Sequence, residues 1–155
     1  MHRLLEIGFK KVGRWAQTST GISPSLSEYH DRRNILYCFV IEGVVRYIGK
    51  TAQPLERRIY GYQNPGPTQS TNIRVHAKIR GLLAEGGRVD IYALPDPGTL
   101  HFGGFHLNLA AGLEDGLIST LNPLWNITGT TILEPTRKGE IMSFETYENK
   151  RNPHV

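Results

Sequence analysis

The chain has one cysteine among its 155 residues, so no disulfide can form within it. Cys38 stands inside the apolar run ILYCFVI, where a thiol packs as a small hydrophobe rather than reacting. Long hydrophobic runs are missing too. No stretch approaches the ~20 apolar residues that span a bilayer, and the N-terminus lacks the apolar core of a signal peptide. The expectation is a cytoplasmic protein with no membrane partner. An excess of acid is also absent. Lys and Arg number 18 against 14 Asp and Glu, giving +4 and a pI near 9.3. That balance permits a polyanionic partner, although charge alone does not separate nucleic-acid binders from other basic proteins. Metal-ligand clusters are scarce. His101 and His106 are five apart with no cysteine or third histidine nearby, so Thr99 to Leu107 reads as a mobile loop at the rim of a cleft rather than as a zinc site. A hydrophobic content of 39% with mixed charge excludes a disordered chain. The length suits one domain with small appendages.

The most informative stretch runs from Ile35 to Tyr62. Ile35 to Ile41 is β-branched and aromatic, Glu42-Gly43 follows, and Val44 to Ile48 leads to Gly49. Two such runs joined by a two-residue turn containing glycine predict a β-hairpin. Pro54 suits the first position of a helix, with Thr51 or Gln53 near the cap. Leu55 and Ile59 give that helix its apolar stripe. Arg57 falls about 200° round from Leu55, at roughly 100° per residue, and so points away from the stripe.

Around this core the chain reads in order. Met1 to Asp31 is an irregular or strand-like arm that packs Trp15 on the domain. Its cations Arg3, Lys10, Lys11 and Arg14 form a solvated face or an accessory contact. Gln63 to Asn72 is a polar loop. Its short side chains suit phosphate and sugar oxygens, or cap the next helix. Residues 73–84 follow a helical pattern that ends at Gly86-Gly87. Arg74 and Lys78 share its outer face as a phosphate stripe or a solvated pair. Residues 88–94 form a third strand. Asn108 to Leu121 is the last clear helix, with Leu113, Leu117, Leu121 and Ile118 inward. Gly112 and Gly116 would admit a close neighbour. Glu114 lies at the edge of that stripe, where a carboxylate needs a positive partner. Asp115 is its competitor. Ile141 to Phe144 reads as an added strand before a frayed tail.

Tyr37, the intact Tyr47-Ile48-Gly49, the Lys50-Thr51 after it and Arg57, ten residues past Tyr47, together resemble the GIY-YIG nucleases. In the first motif Ile35 replaces the glycine. The late-helix pattern looks most like the restriction-enzyme branch. The resemblance spans Ile35 to Asn126. It implies an α/β fold with a small three-stranded antiparallel sheet flanked by helices. It makes residues 35–127 the nuclease domain and leaves an N-terminal arm (1–34) and a C-terminal extension (128–155) outside it. The implied activity is Mg²⁺-dependent hydrolysis of DNA, with Mn²⁺ as a substitute ion. By resemblance, Tyr37 activates water, Tyr47 orients or relays, Arg57 grips the phosphate and Glu114 holds the metal. A tyrosine base needs its pKa lowered, and Arg57, Lys50 and the metal are the cations that could do so. The family often carries His or Tyr four residues after its arginine. Here Gly61 stands there, so Tyr60 or Tyr62, and more remotely His76, would take over. Thr68, Gln69, Ser70, Asn72, Arg74 and Lys78 are the candidate nucleic-acid contacts. A dimer is open. The alternative is a non-catalytic nucleic-acid-binding module on the same scaffold.

Overall fold

The computed structural model of the chain describes residues 1–127. The expected extension 128–155, with its added strand and tail, lies outside the described residues. In order, the elements are α1 (His2–Glu6), β1 (Lys10–Thr18), β2 (Gly21–Leu26), β3 (Ile35–Ile41), β4 (Val44–Thr51), α2 (Leu55–Gln63), α3 (Ser70–Ala84), β5 (Val89–Pro95), β6 (His101–Phe102), β7 (Phe105–His106) and α4 (Leu109–Leu121).

The hairpin forms as expected. Glu42 and Gly43 both take positive φ, +50° and +77°, as a tight two-residue turn requires. Every residue of β3 is buried, because the strand has a neighbour on each side and a helix layer on each face. The main sheet is antiparallel with five strands in the order β2-β1-β5-β3-β4. This corrects the three-stranded expectation. The arm supplies the two extra strands: β1 pairs with β5 from Lys10↔Ala93 to Trp15↔Val89, and β2 pairs with β1. A bulge between Lys11 and Gly13 changes the alternation, so that Val12 and Trp15, three apart, are both buried in one core.

Two cores result. Tyr37, Phe39, Tyr47, Trp15 and Ile91 meet Leu55, Ile59 and Tyr62 of α2 and Val75 and Ile79 of α3 on one face. Leu36, Cys38, Val40 and Ile48 meet Leu4, Phe9 and Ala110 on the other, with Leu113, Leu117, Ile118 and Leu121 packed alongside. Burial pushes the Cys38 thiol up to about 12, as fits a packing role. The α3 helix starts at Ser70, so part of the expected polar loop is its first turn. The α4 helix is capped by Asn108, whose side chain accepts from Ala111 N at 3.2 Å, and ends at Asn122 in the left-handed region. Gly112 and Gly116 face open space instead of a close neighbour. Within Thr99 to Leu107, expected as a mobile rim loop, His101–Phe102 and Phe105–His106 pair as a short two-stranded ribbon. Among the described residues no helix is long and apolar enough to cross a membrane.

Candidate active site

A register shift between Phe39 and Val40 pairs Tyr47 with Phe39, and alternation from there puts Tyr37, Tyr47 and Gly49 on one face, with Gly49 opposite Tyr37 in the ladder. The α2 helix lies over them and lowers two side chains four residues apart, Arg58 and Tyr62. The Arg58 Nε donates to the Tyr37 hydroxyl at 2.8 Å, and Nη2 donates to the Tyr62 hydroxyl at 2.5 Å. The guanidinium also lies 4.3 Å from the centre of the Tyr62 ring. The hydroxyls of Tyr37 and Tyr62 are 2.7 Å apart, and Tyr62 donates to Tyr47 at 3.0 Å. Since Tyr62 has one proton and gives it to Tyr47, Tyr37 donates to Tyr62. The result is a directed chain, Tyr37 to Tyr62 to Tyr47, with one cation on its first two oxygens. Asn72 completes it by accepting from Arg58 Nη1 at 3.0 Å. Gln69 holds Asn72 in turn, accepting from its amide at 2.9 Å.

Tyr37 and Tyr62 have no exposed surface, and Tyr47 keeps 6%. Burial drives the Tyr37 phenol well above its ordinary range, against the opposing pull of Arg58. Tyr62 moves the same way, through burial and then its neighbouring phenols. The expected lowering by nearby cations is therefore outweighed, because the same packing that brings the arginine in also shuts water out. Burial works against the charge on Arg58, but the surrounding phenol oxygens hold it more firmly still.

Arg57 is elsewhere. It is exposed on the outer side of α2, as its angle from Leu55 requires, and the structure does not bring it to the tyrosines. Arg58 falls on the flank of the stripe made by Leu55, Ile59 and Tyr62. Tyr60 is also outside the cluster, at 57% exposure. His76 touches the Tyr62 backbone carbonyl at 2.8 Å through Nδ1, not a phenol.

The other face of β4 carries a second polar pair. Lys50 Nζ is 2.7 Å from Glu114 Oε2, with Glu114 mostly buried and Lys50 half-exposed. The positive partner demanded by the position of Glu114 is thus Lys50, and the carboxylate's hydrogen bond raises the Lys50 pKa. Gly49 and Lys50 are consecutive on an outermost strand. The phenol–arginine cluster and the Lys–Glu pair therefore sit back to back across one sheet edge. Asp115 is exposed. Among the described residues no three His, Cys, Asp or Glu side chains converge on a metal position.

Of the expected nucleic-acid contacts, Thr68, Gln69, Ser70 and Lys78 are exposed, while Asn72 is turned inward. Arg74 is half-buried and donates to the Trp125 carbonyl at 3.2 Å, so it does not form an outer stripe with Lys78. Asn126 was not anticipated. Its side chain accepts from Ile48 N at 2.8 Å and donates to Ile48 O at 2.7 Å, pairing with β4 as a strand would.

No family model matches the sequence, and no curated protein matches it. Solved structures do match. A mutant of bacteriophage T4 EndoII is similar with a TM-score of 0.62 at 26% identity, over 81% of this chain and 96% of its own. The restriction endonuclease HPY188I, in complex with product DNA, is similar with a TM-score of 0.47 at 16% identity, over 85% of this chain and 84% of its own. The fold is a nuclease fold, shared with nearly the whole of EndoII.

Proposed function

We propose that the chain is a metal-dependent endonuclease of the GIY-YIG type that hydrolyses DNA phosphodiester bonds at the β4 edge. The observation that carries this reading is the convergence of Arg58 and Tyr62 on Tyr37 and Tyr47 beside Gly49. The likeness to EndoII supports it. Arg58 takes the phosphate role first given to Arg57. A guanidinium has five N–H bonds, and three are used on Tyr37, Tyr62 and Asn72. One remains on each terminal nitrogen, free to donate to a phosphate oxygen. With Arg58 as the arginine, the residue four further on is Tyr62, and the misfit at Gly61 disappears.

Water attack on the phosphate releases a proton, and the phenols, which hold their own protons, can only relay it: each oxygen from Tyr37 through Tyr62 to Tyr47 takes one proton as it passes its own on, and the last leaves Tyr47 to solvent. Arg58 steadies the oxygens of Tyr37 and Tyr62 during the transfer. Tyr47 is the end nearest solvent, and Tyr37 is the inner end. Glu114 would hold the Mg²⁺, or Mn²⁺ in its place. A single, mostly buried carboxylate fits in kind, since Mg²⁺ is commonly held by one or two carboxylates and completes its shell with water and phosphate oxygens. When bound there, across the sheet edge from Arg58, the ion would supply Lewis-acid stabilisation of the leaving 3′ oxygen of a backbone that straddles the β4 edge. Lys50 neutralises Glu114 until then, and is near enough to the edge to meet a phosphate afterwards.

Supercoiled plasmid with millimolar Mg²⁺ tests this. Wild type is expected to nick or linearise it. Arg58→Ala and Glu114→Ala are expected to lose about 100-fold or more, and Arg57→Ala to stay within a few-fold. Death of Arg57→Ala with an active Arg58→Ala would overturn the assignment. A wild type that shifts DNA in a gel but cuts it with neither ion would make the chain a non-cleaving binding module.

A further inference from the structure

The hairpin of β6 and β7 carries the most exposed large apolar side chains of the described residues, Phe102 at 78% and Phe105 at 80%. They pair directly across the ribbon, so both rings leave the same face. His101 and His106 pair next to them, on the opposite face, with rings 5.7 Å apart. His106 Nε2 reaches Asp96 Oδ2 at 2.9 Å, and Leu107 N donates to Leu100 O at 2.8 Å. These contacts tie the ribbon's base to the end of β5. Its tip is Gly103-Gly104, with Gly103 at φ +59°, and it adds no bulk beyond the rings. The ribbon is thus fixed at its root and presents two uncovered aromatics at a slender tip.

Its place in the sheet gives the rings a partner. Ile35 pairs with Thr51 on one side and Pro95 on the other. The end of β4 that bears Lys50 and the end of β5 that launches the ribbon are therefore the same end of the sheet, two strand spacings or about 10 Å apart. Arg32, Arg33 and Arg57 are exposed at this end, beside the acids Asp31 and Glu56. A second copy of the chain is a poor occupant for the tip. Each aromatic buries about 150–250 Å², and two fall short of the roughly 800 Å² per partner of a stable interface.

We propose that Phe102 and Phe105 form a wedge that inserts into the base stack of DNA engaged at the β4 edge, beside the bond to be cut. Apolar side chains between base steps unstack them and bend the duplex. The proposal rests on the nuclease reading.

The test compares wild type, Phe102→Ala/Phe105→Ala and Phe102→Trp/Phe105→Trp on a plasmid fragment that wild type cuts, with binding measured in EDTA. The alanine pair is expected to bind about tenfold or more weaker. Its salt dependence should keep the wild-type slope, because the rings neutralise no phosphate. Permanganate, which oxidises unstacked thymines, is expected to mark bases next to the cut with wild type and the tryptophan pair, and not with the alanine pair. Equal affinity and an equal permanganate pattern for the alanine pair, with wild type binding and cutting, would overturn the wedge and leave the nuclease reading standing. A wild-type dimer that the alanine pair splits in sedimentation, with DNA affinity per protomer unchanged, would also overturn it. A wild type that neither binds nor cuts DNA would end both.

Discussion

A methyl group at Gly49 would lie 2.5 Å from the Tyr37 hydroxyl oxygen and 3.1 Å from the Tyr47 ring. The glycine leaves the gap that the two phenols share. Gly49→Ala is therefore expected to push Tyr37 off Arg58 and Tyr62. Stability should fall by about 1–3 kcal/mol in denaturant titration, and nicking activity should be lost beyond what that fall explains. The tyrosines were legible as strand residues, but their shared face was not: with unbroken register from the Glu42-Gly43 turn Tyr47 would face Cys38, and the register shift between Phe39 and Val40 pairs it with Phe39 instead. Arg58 was not legible either. Sequence reasoning sends a helical cation to the solvent face, which favours Arg57. Arg58 is stable at the buried flank only because three oxygens, from Tyr37, Tyr62 and Asn72, meet it there. The available signal was Tyr62, which follows Arg58 by one helical turn and can reach the same target.

At the scale of elements, the hairpin, α2 and α4 follow from periodicity and turn chemistry, and Glu114 meets a cation as its position on α4 requires. The first two strands do not follow so directly. Gly13 interrupts the alternation of β1, which makes the arm look irregular. In the fold that glycine is where the strand shifts register. A Cβ there would lie 2.1 Å from the Ser25 carbonyl oxygen, in the facing strand. Gly13→Ala is expected to pry β2 from β1. Hydrogen exchange should then quicken across Gly21–Leu26 while β3 keeps its protection, and global stability should drop by about 1–3 kcal/mol. Full loss of protection in β3 would show that the added strands are not a separable layer. Asn72 shows the same limit of local reading. A polar residue in a polar loop looks like a surface contact, and only the packing of α3 against α2 turns it inward.

For the whole molecule, the sheet has a helix layer on each face, and its polar chemistry gathers where one edge strand leaves both faces accessible. The buried phenols tie this arrangement to alkaline stability. Tyr37 and Tyr62 hold their protons above the ordinary tyrosine range when folded and release them near pH 10 when unfolded. Above that pH the folded state binds more protons than the unfolded one, so stability falls as pH rises. Below it both states keep the protons, and these groups leave stability unchanged. The melting temperature is expected to be insensitive to the phenols up to about pH 10 and to decline steeply beyond. Tyr62→Phe should make the decline shallower.

The side chain of Asn126 occupies the backbone donor and acceptor of Ile48 on the outer rim of β4, and Trp125 N binds Arg46 O at 2.8 Å. An open strand rim is a template for sheet-to-sheet growth between molecules. The rim beside the proposed site has to admit a polyanion and yet refuse another β-strand. A side-chain amide meets both needs, since it satisfies the ladder without offering a continuation. Asn126→Ala is expected to fold, and to form thioflavin-positive aggregates on storage at concentrations where wild type stays clear. Equal solution lifetimes for the two would mean that the rim is guarded by something other than this residue.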